Sequence, residues 1–258
     1  MKNEVIHGDC LEVMKDIPDK SIDMILCDLP YGTTACKWDT IIPFEPLWEQ
    51  YKRIIKDNGA IVLTASQPFT SALVMSNPKM FRCHLIWNKK KNANPLLAKI
   101  NPLKIHEDII VFGKKKVNYY PQKETRGEPR KKIYPFSTSK NSIVGSFESK
   151  IDTFNNEYYP TSILEFSNAN KKGLLHPTQK PVVLFEYLIK TYTNEGDLVL
   201  DNCAGSFTTA IASENLKRNW ICIEKEETYC EIGRKRIEEN RITSMPYKPL
   251  LAQLKNPP

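Results

Sequence analysis

No run of about eighteen apolar residues occurs anywhere in the 258-residue chain, and Met1-Lys2-Asn3-Glu4 opens onto no apolar leader core. Neither a membrane-spanning helix nor a secretion signal is expected, so the protein is expected in the cytoplasm with no membrane partner. Cysteine is present but never paired: the seven, at positions 10, 27, 36, 83, 203, 222 and 230, make no Cys-x-x-Cys and no Cys/His cluster at zinc-ligand spacing. Reduced, mostly buried thiols are expected instead. Only ten glycines occur and none forms Gly-x-Gly-x-x-Gly, which excludes the usual backbone cradle for a pyrophosphate. No internal repeat is visible.

What is there is charge, unevenly spread. Between positions 113 and 175 twelve Lys/Arg stand against six Asp/Glu, so that stretch carries six of the seven net positive charges and is expected to meet a polyanion. A merely solvated basic surface is the alternative. The length suits one large domain carrying an insert, or two small domains. Up to position 112, apolar segments at 21–28, 60–64, 84–87 and 107–112 read as strands and 44–56 as a helix. From 114 to about 173 the periodicity gives way to Tyr, Pro, Ser, Asn and Lys, with only short β-like pieces such as 162–166. Order resumes with helices over 181–193, 208–216 and 228–240 and strands over 197–201 and 220–224. The pattern predicts an α/β fold whose mainly parallel sheet is covered on both faces. Residues 1–112 and 174–241 form its core, 113–173 an irregular insert, and 242–258 a tail.

Two strand ends carry chemistry. Asp201-Asn202-Cys203-Ala204-Gly205-Ser206 joins a strand to a helix, and Glu224 ends the next strand 23 residues past Asp201. Such a turn lets backbone amides and a helix N-terminus approach a ligand, while a terminal carboxylate accepts both hydroxyls of a ribose. With its single glycine the turn fits a nucleoside-containing ligand that has no pyrophosphate. An ordinary strand-to-helix loop is the alternative.

Asp28-Leu29-Pro30-Tyr31-Gly32 follows the first buried strand, where doubly wound folds place their ligands. The lone pair of an exocyclic amine on adenine or cytosine is delocalised into the ring and must be localised before it attacks. The Asp28 carboxylate and the Leu29 carbonyl can each accept one amine N–H, which favours a tetrahedral nitrogen aimed at a methyl donor. Pro30 fixes φ, and Tyr31 can stack on a base extracted from its duplex. This chemistry calls for no metal, covalent intermediate or redox group. A plain turn is the alternative.

Taken in order, Asp28-Leu29-Pro30-Tyr31, His176-Pro177-Thr178-Gln179-Lys180-Pro181 and the turn 201–206 resemble the β-type amino-methyltransferases of DNA, over nearly the whole chain except the insert and the tail. The resemblance implies a Rossmann-like, seven-stranded, mostly parallel sheet with helices on both faces and S-adenosylmethionine over the strand ends, leaving as S-adenosylhomocysteine. It implies that Asp201, Ala204, Gly205 and Ser206 hold the methionine end, with Asn202 in the same turn and Thr208 nearby. Glu224 would bind the ribose, Thr178 and Lys180 would reach the methionine carboxylate, and Asp9, beside Cys10, would face the adenine amine. Asp28 would border both the cofactor and the target. Position 29 usually carries a second proline in this family; leucine there preserves the carbonyl while relaxing the loop. The turn also lacks an aromatic and a further glycine that the family often has around 202–205. An acid at position 28 resembles adenine-N6 enzymes, whereas cytosine-N4 enzymes more often carry serine.

The insert takes the place of the family's target-recognition segment. It holds nine of the chain's 21 Tyr and Phe residues beside Arg130, Lys131 and Lys132, so cations can neutralise phosphates while aromatic groups stack. A small satellite core decorated with lysines is the alternative. Lys89, Lys90 and Lys91 are expected to add a second contact with DNA. The reading is therefore a site-specific, restriction-modification type methyltransferase, prokaryotic or phage-encoded, that flips adenine from double-stranded DNA and methylates N6 by direct transfer. Cytosine N4, RNA or a protein amide remain alternative targets, and a DNA-binding module that has lost catalysis is the alternative from another class. A homodimer and a restriction endonuclease partner are left open.

Overall fold

A computed structural model describes residues 2–33, 39–92, 95–132, 153–168 and 179–244. Along the chain run β1 (Glu4–His7), α1 (Cys10–Val13), β2 (Ile22–Asp28), α2 (Phe44–Ile54), β3 (Ile55–Ala65), α3 (Phe69–Ser76), β4 (Phe81–Asn88) and β5 (His106–Phe112). There follow β6 (Glu124–Lys132), β7 (Thr153–Tyr158), β8 (Ile163–Glu165), α4 (Val182–Tyr192), β9 (Leu198–Asp201), α5 (Thr208–Asn215), β10 (Asn219–Glu224) and α6 (Glu227–Ser244). The chain divides into two compact units, Met1–Tyr120 with Ser162–Pro258, and Pro121–Thr161. Of the insert read over 113–173, only 121–161 forms the separate unit.

In the first unit one sheet has the order β1-β10-β9-β2-β3-β5-β4-β8. All neighbours are parallel except β5, which runs antiparallel to both β3 and β4. β2 shows why the sequence reads as an unbroken apolar run. Its side chains alternate: Ile25 and Cys27 pack among α2 and α3, while Met24 and Leu26 pack against α4. Both faces are thereby covered. The seven strands expected are joined by an eighth, β8, from the piece read over 162–166. It attaches because the Ile86 N–H donates to the Ser162 carbonyl at 2.8 Å and Leu164 is buried beside Trp87.

The helix read over 44–56 stops at Ile54, because Ile55 is fully buried and already pairs with Ile22 in β3. Gly59 lets β3 pass close to β2, since a Cβ there would lie 2.7 Å from the Asp23 carbonyl oxygen. In the second unit β6 and β7 form an antiparallel pair. Their charged, Gly- and Pro-containing sequence has no apolar alternation, so periodicity leaves them unmarked. Among the described residues no helix is long and apolar enough to cross a membrane.

Candidate active site

Parallel strands deliver their carboxyl ends to one edge of a sheet. Here that edge receives Asp28 from β2, Asp201 from β9, Glu224 from β10 and Gly8-Asp9 after β1, while antiparallel β5 brings Glu107 near its start. All of them line one cavity of about 740 Å³, large enough for a nucleoside-containing ligand and a second group.

At one end of the cavity the turn after β9 is braced from within. The buried Asp201 accepts the Cys203 N–H at 3.1 Å and the Thr209 hydroxyl at 2.5 Å. Burial outweighs these bonds and pushes its pKa up to about 7. Asn202 is equally committed, accepting the Tyr51 hydroxyl at 2.6 Å, and the Ala204 N–H donates to the Ile223 carbonyl at 3.0 Å. Gly205, at φ +50°, donates its N–H to Glu224 Oε2 at 2.7 Å, and Glu224 Oε1 accepts the Glu226 N–H at 3.0 Å. Each of those oxygens retains a lone pair for a ligand hydroxyl. The Ser206 and Thr208 hydroxyls lie 3.3 Å apart, with Arg236 bonded to the Ser206 carbonyl and, at 3.2 Å, to Thr208. Asp9 caps α1 through the Leu11 N–H at 2.9 Å and stands 3.6 Å from Lys225, with Cys10 buried beside it. Thr178 lies outside the described residues.

The other end is an ion network. Asp28 Oδ1 accepts the Tyr31 hydroxyl at 2.7 Å and the Thr64 hydroxyl, and Oδ2 accepts the Lys180 ammonium at 2.7 Å. Lys180 also lies 3.3 Å from Glu107 Oε2, and Glu107 Oε1 is 3.0 Å from Lys89. Burial opposes the charge on Lys180, but Asp28 and Glu107 outweigh it and hold its pKa above the ordinary lysine value. Burial likewise opposes the charge on Glu107, and Lys180 and Lys89 hold it below the usual carboxylate range. Tyr31 stacks on Phe69 with ring centroids 5.3 Å apart. The Leu29 side chain is buried in the core and Pro30 lines the cavity.

Lys180, which the resemblance sets to reach a methionine carboxylate, is ion-paired with Asp28. One sequence expectation changes: Lys89, expected at a DNA phosphate, is 8 % exposed and turned onto Glu107. The reason is local: the Lys89 N–H bonds the Ile105 carbonyl at 2.8 Å, which extends the β4–β5 ladder and directs its side chain inward. Lys90 and Lys91 stay exposed, Lys90 pairing with Glu165 at 2.8 Å. Sequence reasoning missed Thr64, Phe69 and Glu107. Glu107 had a signal, an acid near the start of a strand that is otherwise apolar from Ile109 to Phe112.

In the second unit the Arg130 guanidinium donates to the Tyr158 hydroxyl at 2.7 Å and sits over its ring, and Lys131 is exposed. The Lys132 side chain lies outside the described residues.

The family model described as DNA methylase matches residues 22–235. The type II methyltransferase M.HpaI of Haemophilus parainfluenzae is 27% identical over 258 residues, covering 92% of this chain and 75% of that protein. The DNA adenine methyltransferase YhdJ of Escherichia coli (strain K12) is 27% identical over 249 residues, covering 91% and 82%. Among solved structures, the M1.HpyAVI–SAM complex is 25% identical with a TM-score of 0.61, covering 90% of this chain and 98% of that one. The PvuII DNA methyltransferase (cytosine-N4-specific) shares the fold at a TM-score of 0.63 and 16% identity, covering 92% and 90%. With strand ends, turn and Asp28 loop converging on one cavity, and with the family match spanning most of its length, the chain belongs to the DNA methylase family.

Proposed function

We propose that this chain transfers a methyl group from S-adenosylmethionine to N6 of adenine in double-stranded DNA. The observation that carries the reading is a carboxylate, Asp28, lining the same cavity as Gly205 and Glu224. The donor set suits the cofactor: Glu224 has lone pairs for two ribose hydroxyls, and the turn at Ala204, Gly205 and Ser206, with Thr208, offers small residues and hydroxyls to the amino-acid end. Asp9 takes the adenine edge. When bound, S-adenosylmethionine supplies an electrophilic methyl group.

The rest is done by the protein. Asp28 and the Leu29 carbonyl accept the two hydrogens of the target amine and localise its lone pair. Lys180 supplies the charge that balances Asp28 in a largely buried site. Tyr31, backed by Phe69 and tethered through its hydroxyl, fixes one wall of the target pocket. Adenine is favoured over cytosine by the acid at position 28 and by the likeness to the adenine methyltransferase YhdJ. The segment 113–173, and within it the unit at 121–161, is assigned to target recognition, with Arg130, Lys131 and Lys132 on phosphates and Lys90 and Lys91 as further contacts. Tritium transfer from labelled S-adenosylmethionine to duplex DNA, RNA and protein tests the reading, and incorporation confined to RNA or protein would contradict it.

A further inference from the structure

Among the described residues Glu107 Oε2 is a buried oxygen without a hydrogen bond, and Glu107 lines the catalytic cavity. Lys180 Nζ is 3.3 Å away, close enough for attraction but without hydrogen-bond geometry, because the ammonium is directed to Asp28 Oδ2 at 2.7 Å. Both oxygens of Asp28 are thus engaged, Oδ1 by Tyr31 and Thr64 and Oδ2 by Lys180. Oδ1 already accepts two donors, so an incoming amine must come to Oδ2, which holds one and keeps a lone pair. There it shares the oxygen with an ammonium that draws on the same charge and space, and full capture requires the lysine to give way, yet that side chain is only 9 % exposed, and a buried ammonium left without a partner is costly. A second carboxylate within reach removes that obstacle. Lys89 holds Glu107 by its other oxygen at 3.0 Å, which leaves Oε2 turned toward Lys180.

We propose that Lys180 has two seats, moving from Asp28 Oδ2 to Glu107 Oε2 when the target amine takes Asp28, and that Glu107 is therefore a positioning residue for capture of the target base. This rests on the reading of Asp28 as the amine acceptor. No bond is made or broken in the exchange; one ion pair replaces another. Charge on the second seat is secured because, although burial opposes it, Lys180 and Lys89 keep Glu107 ionised.

The test is Glu107→Gln, which keeps the shape and removes the charged seat. The first readout is the affinity for the duplex that the wild type methylates, relative to the same duplex with purine, which lacks the amine, at the target position. It is taken by fluorescence anisotropy with S-adenosylhomocysteine present. Glu107→Gln should lower that ratio about tenfold or more, slow single-turnover transfer by a similar factor, and leave S-adenosylmethionine affinity unchanged by calorimetry. In a Lys180→Met background the same substitution should change neither quantity, because there is no ammonium to reseat. A wild-type ratio and rate in Glu107→Gln, or an equal loss on top of Lys180→Met, would overturn the proposal. Should Glu107→Gln not fold, Glu107→Asp, whose carboxylate falls one methylene short, should show a smaller loss in the same direction; a wild-type ratio there is equally fatal. Absence of methyl transfer by the wild type would remove the functional reading itself, a result distinct from failure of the seat exchange.

Discussion

Gly233 lies buried in the middle of α6, where helix propensity alone favours alanine by about 1 kcal/mol. The structure reverses that sign. A Cβ at 233 would lie 2.1 Å from Cδ2 and 2.4 Å from Cε2 of Phe207. The ring has little freedom to retreat: Phe207 is fully buried, and its backbone is in the left-handed region at φ 60°, ψ 32°. Overpacking a core position costs about 1–3 kcal/mol, and here the obstacle is a ring rather than the far end of a flexible chain. Such an obstacle puts the cost in the upper part of that range, about 2–3 kcal/mol, so net destabilisation of Gly233→Ala should be about 1–2 kcal/mol after the propensity gain of about 1 kcal/mol is subtracted. At about 2–4 °C per kcal/mol for a chain near this size, the melting temperature should fall by several degrees. Because Phe207 follows Ser206 directly, cofactor affinity should fall with it. Urea unfolding and thermal melts decide the matter, and a variant as stable as the wild type or more so would refute the packing argument.

Three further outcomes are expected. Glu224→Ala should weaken S-adenosylmethionine binding by about 1–3 kcal/mol in calorimetry, through lost charge-assisted hydrogen bonds; unchanged affinity would put the ribose elsewhere. For Asp201, burial raises the pKa from 3.8 to about 7, so the folded chain holds a proton that the unfolded chain releases. That stability is fully present below about pH 4 and lost as pH rises through about 7. The stability of Asp201→Asn relative to wild type should therefore grow across that window in urea melts, and a pH-independent difference would contradict the burial argument. Replacing Arg130, Lys131 and Lys132 with alanine should flatten the salt dependence of duplex binding by up to about 3 units in the log–log slope, alike for all sequences. An unchanged slope would mean that they face solvent, and an altered methylation site would mean that they read bases.

The sheet was legible because β2, β3, β5, β9 and β10 are buried on both faces and so appear as apolar runs. β6 and β7 were not, since the charged, exposed β6 and the polar β7, with Asn155-Asn156-Glu157 at its centre, carry no apolar period. At the site, Asp28, Gly205 and Glu224 could be located because each stands at the end of such a run, where topology fixes its place. Their partners could not. Glu107 meets Lys180 across 73 positions of sequence, and Lys89 reads like its exposed neighbours Lys90 and Lys91 until the β4–β5 ladder turns it inward. Leu29, a departure from the family pattern in sequence, is accommodated by burial in the core.

The most direct measurement is single-molecule sequencing of DNA from a methylation-free host expressing either the wild type or Asp28→Ala. The wild type should leave N6-methyladenine at one defined sequence. Asp28→Ala should leave essentially none, since losing an oriented acceptor of this kind costs on the order of 100-fold or more, while the purified variant still binds S-adenosylmethionine. N4-methylcytosine in the wild type's DNA would contradict the choice of base, and undiminished marks with Asp28→Ala would contradict the assignment of Asp28 as the amine's acceptor.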